Sequence, residues 1–236
     1  LHGSPPCQKL SIMQCVPPEK QLEQAVDLVE WFLGLVERAR PTTWSFEQVN
    51  HARVRALLAD FKRRCPRLCD WDAFNAADFG VPQMRKRIIA GSPVLVSALR
   101  NAARPQSRPS VRDFIPHPPR QFIRTGIYQR PSYIKKTDGS PANPFGPYAA
   151  VPLSEQIRSV DETGWTVLAA GWKAWCDAEG HMLYQLTAEE CALLQTFPAG
   201  YKLPYDALTR KEGVGNAIPV ALARAIMRPT HSATHV

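Results

Sequence analysis

The sequence contains no apolar run long enough to span a bilayer, and no basic segment followed by an apolar core and a small-residue cleavage site opens it. These absences predict a protein that is neither embedded in a membrane nor secreted, so we expect an intracellular location. Of the 236 residues, 44% are hydrophobic, which is ample for a core and compatible with one domain or with one and a half.

Cysteine is present, but without the paired spacing of a disulfide framework. Scattered cysteines of this kind are typical of a reducing compartment. Only Cys65 and Cys69 lie close together, and no second cysteine or histidine pair echoes them, so two ordinary thiols are favoured over a zinc site. The six cysteines are Cys7, Cys15, Cys65, Cys69, Cys176 and Cys191.

Acidic residues are scarce in one long stretch of the chain. From Met84 to Lys136 there are twelve Lys or Arg residues and a single acid, Asp113. This stretch carries +11, whereas the net charge of the chain is +8 and the remainder sums to −3. Such segregation favours a polyanionic partner, because neutralised phosphates release condensed counterions. A merely solvated surface is the alternative, and charge alone does not separate DNA from RNA or from an anionic membrane.

Helices and short apolar strands alternate in the first part of the chain. Apolar residues recur at three- and four-residue spacing in the helical segments, and the strands are short apolar or alternating runs. The predicted elements are a helix at Glu19–Arg40, a strand within Thr42–Val49, a helix from near Asn50 to before Pro66, and strands at Cys69–Phe74 and Arg87–Gly91. This alternation predicts an α/β fold with a parallel, doubly wound sheet.

The pattern changes after Ser92. Prolines crowd the segment up to Gln185 and helical periodicity fades, which predicts a separate loop-rich or β-rich module. Order returns at "LTAEECALLQTFP", where Thr187 and Glu190 form a predicted capping box. In "GNAIPVALARAIM" we expect a Gly-Asn turn and then a helix that ends at Met227.

Four stretches, in this order, resemble the motifs of the C5-cytosine-specific DNA methyltransferase family. "SPPCQKLS" is similar to its Pro-Cys motif, "FEQV" to its Glu-Asn-Val motif and "NAADFGVPQMRKRIIAGSP" to its Gln-x-Arg-x-Arg motif. "LTAEECALLQTFP" together with "GNAIPVALARAI" resembles its last two motifs. Each match alone is weak, but all of them occur in the order that the family has, and together they cover nearly the whole chain.

The resemblance implies a Rossmann-like, S-adenosylmethionine-dependent methyltransferase fold with a smaller, loop-rich or β-rich target-recognition domain. It assigns residues 1–92 to the catalytic domain, 93–198 to the recognition domain and 199–236 to a return to the catalytic domain. The family's cofactor loop, Phe-x-Gly-x-Gly, has no counterpart in this sequence. We therefore expect a truncated chain or one half of a split enzyme, inactive without an N-terminal complementing chain that carries the cofactor motifs.

The family's chemistry implies roles for five residues. A thiolate, here Cys7, adds to C6 of cytosine and makes C5 nucleophilic, whereas in isolation this cysteine reads as an inert thiol. Protonated Glu47 bonds N3, and Arg87 and less directly Arg85 meet O2 as charge builds on the ring. Gln83 supports this strand or the loop over the base. A surface carboxylate is the alternative for Glu47, and a phosphate contact is the alternative for both arginines.

The family acts on a cytosine flipped out of double-stranded DNA, so the implied substrate is duplex DNA, inside a bacterial cytoplasm or a nucleus. An RNA-directed relative, or a fragment that only binds DNA, is the alternative.

The sequence departs from the family's motifs at two positions: Gln48 replaces the Asn of the Glu-Asn-Val motif, and Glu189 stands where the family has Arg. The implied S-adenosylmethionine contacts are Pro6, Gly215 and Asn216. The candidate DNA contacts are Arg120, Arg124, Arg130, Lys135 and Lys136, with Tyr128 and Tyr133 interleaved.

Overall fold

The computed structural model describes residues 1–6, 19–125, 157–169 and 173–231. The chain divides into two compact units, of which unit 1 comprises Leu1–Phe79, Lys86–Arg104 and Leu222–Val236, and unit 2 comprises Gly80–Arg85 and Pro105–Ala221. These units do not follow the expected domain limits, which stay a prediction. Residues singled out above that lie outside the described ranges are Cys7, Cys15, Tyr128, Arg130, Tyr133, Lys135 and Lys136.

The described secondary structure consists of short strands and helices of one to six turns. The strands are β1 (His2–Gly3), β2 (Ser45–Val49), β3 (Asp70–Asn75), β4 (Gln83–Met84), β5 (Lys86–Gly91), β6 (Phe122–Thr125), β7 (Ile157–Ser159), β8 (Gly164–Trp165), β9 (Lys173–Cys176) and β10 (Met182–Gln185). The helices are α1 (Glu19–Ala39), α2 (Ala52–Arg64), α3 (Pro93–Asn101), α4 (Ala188–Leu194), α5 (Ala207–Asn216) and α6 (Val220–His231), with a short 3₁₀ helix at Ala76–Phe79. In the described ranges, no helix combines the length and the hydropathy that crossing a bilayer requires.

Unit 1 is built on a four-stranded sheet in the order β1-β2-β5-β3. β1 is parallel to β2, with His2 opposite Ser45, whereas β5 is antiparallel to both β2 and β3. The expectation of an all-parallel sheet is therefore wrong for β5. A parallel crossover needs about a dozen residues or more, and residues 76–85 provide only a short 3₁₀ helix and β4.

The core of unit 1 lies between this sheet and helices α1 and α2. The Phe32 ring of α1 stacks on Phe46 of β2, with centroids 5.6 Å apart, and Trp44 meets Phe61 of α2 edge-on at 6.2 Å. Gly3 of β1 lies directly under Phe32, because a Cβ there would fall 2.2 Å from the ring. The absence of a side chain thus lets β1 approach α1, and it sets the position of the residues that follow β1.

Unit 2 contains an antiparallel sheet in the order β10-β9-β6-β7 and a parallel pair of β4 with β8. Ile123 of β6 and Trp175 of β9 are fully buried in its core. The predicted capping box of α4 is present, because the Thr187 hydroxyl accepts from the Glu190 amide and the Glu190 carboxylate accepts from the Thr187 amide. These strands agree with the β-rich alternative for this segment, and its being a separate module stays a prediction.

Four features of the chain from Ser92 onward differ from the sequence-based expectations. Helix α3, which begins after Ser92 with Pro93 in its first turn, was not expected, and neither was α5, which Asp206 caps. Gly215 and Asn216 are the last residues of α5 and do not form a separate turn. Helix α6 continues past Met227 to His231. Short amphipathic segments between prolines carry too little periodicity to be separated from loops.

Lys173 of β9 is buried in unit 2. Burial lowers the pKa of its ammonium group from 10.5 to about 7, with Cys191 opposing and Arg158 reinforcing this shift. Between pH 7 and 10.5 the unfolded chain therefore binds a proton that the folded chain does not. Since stability rises with pH wherever the unfolded state binds more protons, Lys173 makes the fold more stable as the pH rises across this window.

We expect Lys173→Met to raise the free energy of unfolding, and the gain over the parent should be on the order of a few kcal/mol at neutral pH. The gain should shrink as the pH rises from 7 and vanish above 10.5, where the lysine of the unfolded parent has also lost its proton. Urea unfolding at several pH values measures this. Lys202→Met, which replaces an exposed lysine, is the control and should show no such trend. A gain independent of pH would contradict the assignment.

Candidate active site

Glu47 and Arg87 form a buried ion pair on neighbouring strands of unit 1. In the β2–β5 register Arg87 lies opposite Val49, two positions from Glu47, so the two side chains share one face of the sheet. The Arg87 Nε atom lies 3.0 Å from Oε1 of Glu47, and their side chains are 11% and 8% exposed. Arg87 also donates from Nη1 to the Lys86 carbonyl at 2.8 Å. The structure thus brings together two of the five predicted catalytic residues.

The segment that leads to Cys7 is attached to the strand that carries Glu47. The Ser4 hydroxyl donates to Oε2 of Glu47 at 3.0 Å. The buried Gln48 amide donates to the Pro5 carbonyl at 2.9 Å and accepts from the Val49 amide at 2.8 Å. Gln48, which replaces the family's Asn, therefore holds the proline segment beside Glu47. Pro5 precedes Cys7 by two residues, and Cys7 itself lies outside the described ranges.

Gln83 lies in unit 2, on β4, and its side chain is fully buried. Its Nε2 donates to the Leu194 carbonyl at 2.8 Å and to Oε1 of Gln195 at 3.0 Å, while its Oε1 accepts from the Val167 amide at 2.8 Å. Both ends of the amide are thus used within unit 2. This arrangement favours the supporting role that the motif implied for Gln83.

Arg85 is 2% exposed, and its guanidinium is surrounded by backbone carbonyls of unit 2. It donates from Nη1 to Val167 at 2.7 Å and from Nη2 to Gly215 and Ala217, both at 3.1 Å. A buried cation needs such acceptors, since an unsolvated charge is costly. The geometry therefore favours a structural role for Arg85, and a contact with O2 of the base stays a prediction.

Gln195 is a residue that the sequence did not single out. Its fully buried amide donates to the Val214 carbonyl at 2.7 Å and to the Ala217 carbonyl at 3.2 Å, beside the bond from Gln83. The next residue, Thr196, has a positive φ of 62°, and its hydroxyl accepts from the Ala221 amide at 2.9 Å. Nothing in the sequence around Gln195 indicates that its side chain is buried and makes several hydrogen bonds, because a glutamine after a helical segment is usually exposed.

The sequence comparisons agree with this geometry. A family model for C-5 cytosine-specific DNA methylases matches residues 1–231. The chain belongs to this family of DNA methylases. It is 26% identical over 255 residues to the type II methyltransferase M1.HphI of Haemophilus parahaemolyticus, and 27% identical over 269 residues to M.MthTI of Methanothermobacter thermautotrophicus. These matches cover 95% and 96% of the chain, which spans only 66% and 76% of the length of those two proteins.

Solved structures with the same fold are also methyltransferases. One is described as a DNA modification methyltransferase encoded within an E. coli prophage, with a TM-score of 0.55, 15% identity, and coverage of 98% of this chain and 78% of that one. Another is Entamoeba histolytica EhMeth, with a TM-score of 0.53, 12% identity, and coverage of 97% and 77%. The α/β fold of S-adenosylmethionine-dependent methyltransferases and the resemblance to this DNA methylase family are thereby confirmed.

The basic segment of the chain is partly engaged within the protein. Arg100 pairs with Asp70 and Asp72, and Arg112 pairs with Asp161. Such pairs leave the guanidinium groups less available to phosphates than the count of charges suggests. Part of the clustering along the chain therefore reflects internal ion pairs.

The two described candidates for DNA contacts differ in environment. Arg120 is exposed, and it donates from Nη1 to the neighbouring Pro119 carbonyl at 3.4 Å. Arg124 is only 6% exposed and donates from Nη1 to the Gly180 carbonyl at 2.7 Å, in the turn between β9 and β10. The environment of Arg120 suits a phosphate contact, whereas that of Arg124 favours support of the turn.

The three predicted cofactor residues lie in different surroundings. Pro6 and Asn216 are exposed. Gly215 is buried, and a Cβ built on it would lie 2.1 Å from the Ala169 nitrogen and 2.3 Å from the Leu168 carbonyl carbon. Close packing of backbone on backbone is therefore a sufficient reason for glycine at this position.

We expect Gly215→Ala to lower the free energy of unfolding by about 2 kcal/mol, because the clash is with backbone and no flexible side chain can move away. Urea or thermal unfolding measures the loss. Gly213→Ala is the matched control in the same helix, since no atom lies within 4 Å of its added Cβ. That change should stabilise α5 by up to about 1 kcal/mol. Equal effects at both positions would contradict the packing argument.

Proposed function

We propose that this chain carries the base-activating site of a DNA (cytosine-5-)-methyltransferase. The observation on which the proposal rests is the buried Glu47–Arg87 pair, with Pro5 attached through Gln48 to the same strand. An acid and a fixed cation beside the segment that leads to a cysteine are the groups that attack on a cytosine ring requires. Because the chain belongs to the family of C-5 cytosine-specific DNA methylases, we infer that the base attacked at this site is cytosine.

The first step is addition of the Cys7 thiolate to C6 of a cytosine flipped out of the duplex. A carbon–sulfur bond forms as the C5–C6 double bond opens, and the electron pair is delocalised toward N3 and O2. C5 then becomes nucleophilic. After C5 has been substituted, loss of its hydrogen as a proton restores the double bond and expels the thiolate.

Glu47 and Arg87 stabilise the charge that this addition creates. Glu47, when protonated, donates to N3 and accepts from the exocyclic amine through its other oxygen. Arg87 uses Nε for Glu47 and Nη1 for Lys86, so we assign Nη2 to O2 of the base. The donors are held in place before the reaction, and such preorganisation is the usual source of electrostatic catalysis.

We propose S-adenosylmethionine as the methyl donor, which supplies an electrophilic methyl group to C5 when bound. The described residues do not by themselves make a cofactor pocket, because Gly215 is explained by packing and its carbonyl accepts from Arg85. Pro6 and Asn216 stay candidates for contacts at the edge of the cofactor site.

We further propose that a complementing segment carrying the cofactor loop pairs with the outer side of β1. Within the described residues, β1 pairs with β2 alone. Beside that open side an apolar groove is lined by the exposed Leu1, Leu28 and Trp31. An open strand next to exposed apolar side chains favours addition of further sheet.

The proposed partner is double-stranded DNA, and the recognition domain is proposed to span residues 93–198. Arg120 is the described residue whose exposure best suits a phosphate contact. Proposed roles for Arg130, Lys135 and Lys136 fall outside the described residues. The proposed setting is an intracellular one, where DNA is available.

Exchange of the hydrogen at C5 of cytosine tests the base-activating site without the methyl donor. After the thiolate adds to C6, water protonates C5, and reversal releases the original hydrogen. In the full-length protein, Cys7→Ala should reduce tritium release from a duplex containing [5-³H]cytosine to background. Glu47→Gln should reduce it by about 10²-fold or more, because the acid at N3 is lost.

Cys65→Ala is the matched control, since Cys65 is a half-buried thiol that pairs with Glu37 and has no part in the proposal. Its release of tritium should equal that of the parent. Undiminished release from Cys7→Ala would show that another group is the nucleophile. Tritium release from transfer RNA containing [5-³H]cytosine, without release from duplex DNA, would overturn the proposal that DNA is the substrate.

We expect Arg120→Gln and Arg124→Gln to separate DNA binding from stability. Arg120→Gln should weaken binding to any duplex and reduce the slope of log K against log salt by about 1. Arg124→Gln should lower the free energy of unfolding by about 1–3 kcal/mol, because the Gly180 carbonyl loses a buried donor. Salt titrations of binding by fluorescence anisotropy, together with urea unfolding, measure both. The reverse pattern would refute these assignments.

A further inference from the structure

Ser4 is the first residue after β1 and is exposed, whereas the Glu47 side chain is almost fully buried. The hydroxyl donates to Oε2 of Glu47 at 3.0 Å, and Arg87 approaches the other oxygen, Oε1, at 3.0 Å. The two oxygens of one carboxyl group therefore have chemically different neighbours. One faces a permanent cation, and the other faces a neutral hydroxyl that is open to solvent.

This difference decides which oxygen bears the proton when the carboxyl group is neutral. A guanidinium has hydrogen-bond donors only, so the oxygen that faces it, Oε1, must act as an acceptor. A proton on Oε1 would also lie beside the positive charge of Arg87, which is unfavourable. A hydroxyl both donates and accepts, so it tolerates either state of Oε2. Oε1 is thereby the carbonyl-type oxygen, and Oε2 is the oxygen that carries the hydrogen.

We propose that Ser4 is a positioning residue for Glu47. Its hydroxyl fixes the rotation of the carboxyl group, so that Oε2 donates to N3 of the cytosine and Oε1 accepts from the exocyclic amine. The inference rests on the proposed function, since it concerns the same acid. It adds a residue and an assignment of atoms that the motif does not supply.

The backbone of Ser4 is fixed independently of its hydroxyl. On one side, the Ser45 amide donates to the Leu1 carbonyl at 3.0 Å and the His2 ring bonds the Ser45 hydroxyl at 2.7 Å. On the other side, Gln48 holds the Pro5 carbonyl. Removal of the hydroxyl therefore leaves the segment in place, and it changes one donor to Glu47.

The test is the release of tritium from [5-³H]cytosine duplex by the full-length protein, compared with duplex affinity and the unfolding midpoint. Ser4→Ala should lower the maximal rate of release about tenfold, the effect of losing one hydrogen bond between neutral groups. The dissociation constant for duplex DNA and the unfolding midpoint should stay unchanged. Ser4→Thr, which keeps a hydroxyl, should restore most of the rate.

Ser97→Ala is the control, because it removes an exposed hydroxyl from α3 in the same unit. A rate for Ser4→Ala equal to that of the parent, while Glu47→Gln is impaired, would overturn the role of Ser4 and leave the proposed function standing. Undiminished release from Glu47→Gln would instead defeat the proposed function. A parallel loss of duplex affinity in Ser4→Ala, or no rescue by Ser4→Thr, would also overturn the positioning role.

Discussion

The ion pair of Glu47 with Arg87 is the constraint on which the candidate site depends. Both side chains are buried, and a buried charge that loses its partner costs about 3–5 kcal/mol, so each residue requires the other. The pair joins β2 to β5, and β2 in turn holds the residues before Cys7 through Ser4 and Gln48. A few short contacts thus connect the acid, the cation and the approach to the thiol within unit 1.

Much of unit 1 could be predicted from the sequence, because its elements are long and periodic or short and apolar. Helix α1, strand β2 and helix α2 begin and end within a few residues of the predicted limits. The direction of β5 could not be predicted, since the alternation of strands and helices suggested a parallel sheet throughout. Direction depends on whether a connection is long enough to cross over, and that is a matter of geometry and not of composition.

The motifs identified Glu47 and Arg87, and the structure places these two side chains together. They did not identify Ser4 or Gln195, whose importance comes from what their side chains reach in the folded chain. Net charge was also an incomplete guide, because Arg100 and Arg112 are held by acids that lie far from them in sequence. Charge along a chain becomes a binding surface only where folding leaves it unpaired.

The antiparallel pairing of β2 with β5 also affects how reliably the protein folds. Side chains alternate across a sheet, so a slip of one residue would carry Arg87 to the opposite face from Glu47. Such a misaligned sheet would leave the charges of Glu47 and Arg87 buried without a partner. The ion pair therefore favours the native register of β2 and β5. Conformers in which the two strands are shifted by one residue are less stable, because they lose the pair.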